Sequence, residues 1–133
     1  MNKLRPIACI AGLIGLAAVL SGCWLLPIPI DESADGTAQT AEIGREILIQ
    51  LAGTASTGHQ WIRKAPASFD GAPLEVISEG DYAADDPNVC GGPGTFTFRY
   101  RAIAEGTIEL VFEYRRPWET DIVDTFSVIV WVR

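Results

Sequence analysis

The chain has 133 residues, 48% of them hydrophobic and 20% charged, with a formal charge of −7 at neutral pH. That length suits one small domain with a single core. The acidic balance excludes nucleic acid as a partner, because its phosphates are met by clustered Lys and Arg.

Residues 1–22 read as a lipoprotein signal peptide. Lys3 and Arg5 make a positive n-region, and the uncharged run Ile7–Leu20 is too short for an untilted bilayer span, which needs roughly 20 residues. The run leads into Leu20-Ser21-Gly22-Cys23, similar to the bacterial lipobox, whose cysteine is acylated and becomes the mature N-terminus. Cleavage there leaves eight basic against seventeen acidic side chains, a charge of −9. Attachment is therefore expected through acyl chains on Cys23, aided by the apolar stretch Trp24–Ile30, and stable anchoring takes two or more such chains. The implied location is the bacterial cell envelope, with an exported, lipid-anchored protein facing the periplasm or the cell surface. Residues 23–42 are the lipidated N-terminus and tether, and Asp31–Glu42, polar and rich in small residues, is expected to be flexible. Cys9 leaves with the signal peptide and Cys23 carries lipid, so Cys90 stands alone and no internal disulfide forms. It is expected as a small buried hydrophobe, although its Gly/Pro-rich surroundings leave intermolecular pairing open.

Residues 43–133 read as all-β. Arg45–Leu51 alternates with Ile47, Ile49 and Leu51 on one face, and Thr95–Ala102 turns Phe96, Phe98 and Tyr100 inward. Ala104-Glu105-Gly106 joins that run to Thr107–Arg115, whose inward set is Ile108, Leu110, Phe112 and Tyr114, so the two are expected to pair as a hairpin. Shorter strands lie around Trp61–Arg63, where Trp61 is expected in the core, and Leu74–Ser78. A last strand, Val123–Val132, ends the chain. This spacing predicts an immunoglobulin-like β-sandwich of about seven to eight antiparallel strands after the signal peptide and tether.

Catalytic patterns are sparse. There is one histidine, His59, no serine in a nucleophile-elbow context, no CxxC or HExxH, and no phosphate-cradling glycine loop. The acidic run Asp81–Asp86 lacks the ligand spacing of a calcium loop and is read as a solvated turn. No enzyme, metal or other cofactor is expected. Arg116-Pro117-Trp118 is the unusual feature: proline cannot donate to a β-ladder, so the strand ends there, and a large indole is left at a solvated turn.

From Leu51 through Val132 the sequence resembles the chagasin-type inhibitors of papain-like cysteine proteases. Three blocks carry the likeness: Thr54–Trp61 (TASTGHQW), Cys90–Phe98 (CGGPGTFTF) and Arg116-Pro117-Trp118. The resemblance implies an immunoglobulin-like sandwich acting as a reversible, noncovalent inhibitor, with three loops at one end that occlude the protease cleft. It implies that Ser56, Thr57, Gly58 and His59 approach the catalytic cysteine, led by Thr57. Gly91, Gly92, Pro93 and Gly94 would pair their backbone with the non-primed side, and Arg116, Pro117 and Trp118 would bring the indole to the primed side. Where the family's first loop opens with Asn-Pro-Thr-Thr-Gly and an aromatic, this chain has Thr54, Ala55, Ser56 and His59 around the matching Thr57 and Gly58. That removes a fixed φ and an Asx-type turn, and predicts a less preorganised loop. The partner implied is a papain-like protease met by a monomer. The alternative is a non-inhibitory envelope lipoprotein acting as an adhesion or scaffold module, since this architecture hosts many functions; a carbohydrate-binding module with Trp118 and Tyr82 as a platform is a third.

Overall fold

The computed structural model describes residues 26–133, so the signal peptide and Cys23 lie outside the described residues. Its eight strands are β1 (Ile28–Ile30), β2 (Thr37–Ala41), β3 (Glu46–Gly53), β4 (Gln60–Ala65), β5 (Leu74–Ala84), β6 (Gly94–Ala102), β7 (Gly106–Arg115) and β8 (Asp124–Val132). One sheet runs β1-β3-β6-β5 and the other β2-β8-β7-β4.

Period two decides which side chains meet between the sheets. Ile47, Ile49 and Leu51 of β3, Phe96, Phe98 and Tyr100 of β6, and Ile108, Leu110 and Phe112 of β7 are buried, as their alternation predicts. Phe126, Val128, Val130 and Val132 of β8 complete the inner layer. Across the core the rings of Phe98 and Phe112 stand 4.6 Å apart, and Trp61 is buried with its indole N–H donating to the Ala52 carbonyl. Burying a large apolar side chain contributes about 1.5–3 kcal/mol, so this one layer supplies the main driving force.

Four expectations need correction. β6 and β7 do not form a hairpin: β6 pairs with β3 and β5, whereas β7 pairs with β8 and β4. Two strands that each bury a whole face stack more area across the sandwich than side by side, and the connection through Ala104 passes between sheets. Second, Asp31–Glu42 is largely built into the fold. β1 lies parallel to β3 and β2 parallel to β8, so the strands are not all antiparallel. Between β1 and β2 a 3-10 turn, Glu32–Ala34, is capped by the Asp31 carboxylate, the Glu32 side chain accepts from Ala52 N–H, and Asp35 accepts from Ser127 N–H at 2.9 Å. These polar residues satisfy sheet-edge amides. Third, β5 continues beyond Ser78 to Ala84, so the acidic run is strand as far as Ala84 and only then loop; register breaks near Ile77 and Gly80 hide its alternation. Fourth, Cys90 is exposed, on a connection without core packing.

Candidate functional site

The strand registers bring three connections to one end. Gly53 at the end of β3 and Ala84 at the end of β5 both lie opposite Gly94, the start of β6. Gln60 opens β4 opposite Arg115, and Tyr114 lies opposite Asp124. Residues 54–59, 85–93 and 116–123 therefore form the first, second and third loops of a common edge, and they contain every candidate protease-contact residue except Gly94.

In the first loop, Ala55–Thr57 makes a 3-10 turn that Gly58 ends in the left-handed region at φ +83°. Glycine reaches that region without a Cβ clash. Ser56 and Thr57 are exposed, while Gly58 and His59 are half-buried. The Thr57 hydroxyl lies 2.8 Å from the Thr54 carbonyl and 2.8 Å from His59 Nδ1. With one proton to give, it meets both only by donating to the carbonyl and accepting from an Nδ1–H. The His59 ring stacks on Tyr114 at 5.4 Å, and the Tyr114 hydroxyl accepts from Thr54 N–H at 2.8 Å. The expected loss of preorganisation is thus offset by side-chain contacts from outside the loop.

The third loop leans on the first. Arg116 Nε donates to the Thr57 carbonyl at 2.9 Å, and its guanidinium pairs with Glu119 at 3.4 Å. Glu119 N–H donates to the Arg116 carbonyl at 3.0 Å, closing a turn with Pro117 and Trp118 at its corners. Trp118 is 71% exposed. One edge of its indole still has a seat, because a methyl on Gly58 would stand 2.7 Å from Trp118 Cη2. Thr57 and Trp118 consequently share one ridge.

The second loop is held at its neck by Asp85 N–H donating to the Pro93 carbonyl at 3.0 Å. Gly91 and Pro93 are exposed and Gly92 half-buried, and a methyl on Gly91 would come 3.6 Å from Ser56 Oγ, which sets this loop beside the first. Gly94 differs from its expectation as a contact residue. It is buried, and any side chain there would strike the Tyr82 ring, so it lets β6 pass under that ring. Tyr114 and Arg115 were not singled out as site residues; an aromatic closing an inward set, directly before Arg116-Pro117-Trp118, was the available signal for Tyr114.

Among the described residues no group of three or more His, Cys, Asp or Glu side chains is placed to hold a metal ion. The ridge offers shape, exposed backbone and one indole, the equipment of a binding protein. Residues 40–130 match the family model described as Chagasin family peptidase inhibitor I42, and the chain belongs to that family, whose members are protease inhibitors and not enzymes. It is 30% identical to Amoebiasin-1 of Entamoeba histolytica over 107 residues, covering 78% of this chain and 98% of that one. The crystal structure of a cysteine protease inhibitor from Entamoeba histolytica superposes with a TM-score of 0.68 at 22% identity, over 80% of this chain and 95% of that chain. The solution structure of Amebosin gives 0.64 at 25% identity, over 81% and 99%.

Proposed function

We propose that the chain inhibits papain-like cysteine proteases reversibly and without covalent chemistry, by laying its three loops across the active-site cleft. The observation that carries this reading is the shared ridge, on which Arg116 holds the Thr57 carbonyl and the indole of Trp118 lies beside Gly58. A small hydroxyl residue beside glycine brings main chain near a nucleophilic thiolate with no bulky side chain between them. The stretch Gly91-Gly92-Pro93, exposed at Gly91 and Pro93, offers backbone for strand-like pairing along the cleft. Trp118, bare on the surface and restrained by Pro117, is suited to be a binding anchor on the primed side. The test is titration of papain with the soluble chain 24–133, which keeps β1. Competitive inhibition that reverses on dilution, with the chain left intact, is expected. Absence of inhibition, or cleavage between Ser56 and Gly58 at the rate of inhibition, defeats the reading.

The proposal includes a lipid anchor on Cys23 and a place at the bacterial envelope. β1 starts at Ile28 beside Ile47, near the beginning of β3, whereas the loops leave from the other end at Gly53. Five residues span at most about 17 Å. An anchor at Cys23 would therefore hold the sandwich near the membrane by its far end, with the loops facing away by about 20 Å of strand. Cys23→Ser should abolish incorporation of a fatty-acid analogue and release the protein from membranes. Unlabelled wild type that stays with the membrane contradicts the anchor.

A further inference from the structure

Along β7 the side chain of Tyr114 turns inward, so Glu113 and Arg115 both project from the outer face of the sheet. That face is not open water at this point. The third loop folds back beside it, bordering an open cleft of about 310 Å³ lined by Glu113, Arg115, Pro117, Trp118, Glu119 and Thr120. Glu113 is only 8% exposed, the one charged side chain among the buried residues described. Its carboxylate sits between two cations, with Lys64 Nζ at 3.3 Å from one oxygen and Arg115 Nε at 3.4 Å from the other. So oriented, Arg115 directs Nη1 at three main-chain carbonyls, Glu119 at 3.1 Å, Pro117 at 3.3 Å and Arg116 at 3.4 Å.

These carbonyls belong to the turn that carries Trp118. None of residues 116–119 is buried, so the turn has no apolar core of its own and its shape rests on polar contacts. Arg116 ties the turn sideways to the first loop, and Arg115 ties it downward to the sheet. Only a guanidinium can hold a carboxylate with one nitrogen and a fan of carbonyls with another, since a lysine ammonium is a single point donor. We propose that Arg115, oriented by the buried carboxylate of Glu113, is a positioning residue that sets the Arg116–Glu119 turn and thereby aims the indole of Trp118 at the protease. The inference rests on the inhibitory reading above. It assigns Arg115 no contact with the protease: its effect passes through Trp118.

The test is a double-mutant cycle on papain inhibition with the full chain in mild detergent, comparing wild type, Arg115→Met, Trp118→Ala and the double variant, each with a thermal unfolding curve. Arg115→Met should raise the inhibition constant about 10- to 100-fold, well beyond what its lowered unfolding midpoint explains at the assay temperature, where the variant stays folded with Glu113 held by Lys64 alone. In the Trp118→Ala background the same change should cost less than about 3-fold, because there is no indole left to aim. Arg115→Lys should recover only a small part of the loss, and it carries the same comparison if Arg115→Met does not fold. Wild-type inhibition that Arg115→Met leaves unchanged overturns the proposal. So does an equal loss with and without Trp118, which would mean that Arg115 touches the protease itself, or a loss that merely follows the unfolded fraction. A wild type that does not inhibit papain removes the inhibitory reading and this inference with it, a result distinct from the other three.

Discussion

Gly58→Ala tests the shared ridge most directly. The residue sits at φ +83°, where an L side chain costs about 1–2 kcal/mol. Its new methyl would also lie 2.7 Å from Cη2 and 3.2 Å from Cζ2 of Trp118, inside any normal carbon contact. The indole is 71% exposed and can swing away, so the clash should cost little folding free energy beyond the backbone strain. The stability loss expected is about 1–2 kcal/mol, or roughly 5–12 °C in unfolding midpoint for a domain of this size. Inhibition should suffer more, because Thr57 and Trp118 lose their common seat. If the displaced indole forfeits half of an anchor of about 2–4 kcal/mol, the inhibition constant rises roughly 5- to 30-fold beyond what strain explains. Gly71→Ala is the control: φ is +71° there, nothing lies within 4 Å of the added methyl, and the position is in the β4–β5 connection at the other end of the sandwich. Papain inhibition and thermal unfolding are measured on both variants. Equal inhibition by the two would refute the ridge, and a loss of 4 kcal/mol or more at Gly58 would show that the indole is locked in the fold.

Trp118→Ala should weaken papain inhibition roughly 30- to 1,000-fold with almost no change in unfolding midpoint; the opposite pattern, large destabilisation with inhibition intact in the folded fraction, would make the indole a core residue. Removing residues 1–42 should destabilise the domain severely, because Ile30 and Ala41 are 4% and 2% exposed and both β1 and β2 pair with other strands; urea unfolding of the shortened chain against the chain 24–133 decides it. Tyr100, whose hydroxyl donates to Glu79 at 2.6 Å, is held above the ordinary tyrosine range by burial first and by the Glu79 carboxylate second. The folded state keeps that proton where the unfolded chain loses it, so its contribution is full below about pH 10 and declines as pH rises further. The stability advantage of wild type over Tyr100→Phe should shrink between about pH 8 and pH 11 in urea titrations, and a constant difference would contradict the assignment.

What the sequence disclosed and what it withheld follow from what period two can encode. It names the face of a strand, so the inward residues of β3, β6 and β7 were legible. It does not name the neighbour, so β6 and β7 looked like a hairpin although they face each other across the core. β2 was invisible because its residues TAQTA bury only Ala41, and an edge strand of that kind is stabilised by the main-chain bonds it makes to β8. The second half of β5 was missed where register breaks interrupt the alternation. For the loops, the glycines and the Arg116-Pro117-Trp118 block are brought to one end of the molecule by the strand registers. The buried Glu113 gave no signal, since an outward-facing glutamate reads as solvated until the third loop is seen to fold back beside it.

The loops also differ in how they are held, which has a consequence for binding. Every contact described above that steadies the first loop from outside, other than the approach of Gly91 to Ser56, comes from Tyr114, Arg116 or Trp118. First and third loops thus behave as one body, replacing the asparagine and proline that the first loop lacks. The second loop is closed by its own neck bond between Asp85 and Pro93 and tied to β5 by Tyr82, whose hydroxyl donates to the Gly92 carbonyl at 3.5 Å, while Gly91 approaches Ser56 of the first. Residues in one contact network couple, while separate sites add. Tyr114→Phe removes the hydroxyl that accepts from Thr54 N–H, and combined with Trp118→Ala it should show a coupling of about 0.5–3 kcal/mol in papain inhibition. Gly92→Ala, which perturbs the second loop against Val89 at 3.0 Å, should instead add to Trp118→Ala within about 0.5 kcal/mol. Coupling of the second pair as large as that of the first would show that the three loops form a single rigid edge, and additivity in both would show that Tyr114 supports the first loop without linking it to the third.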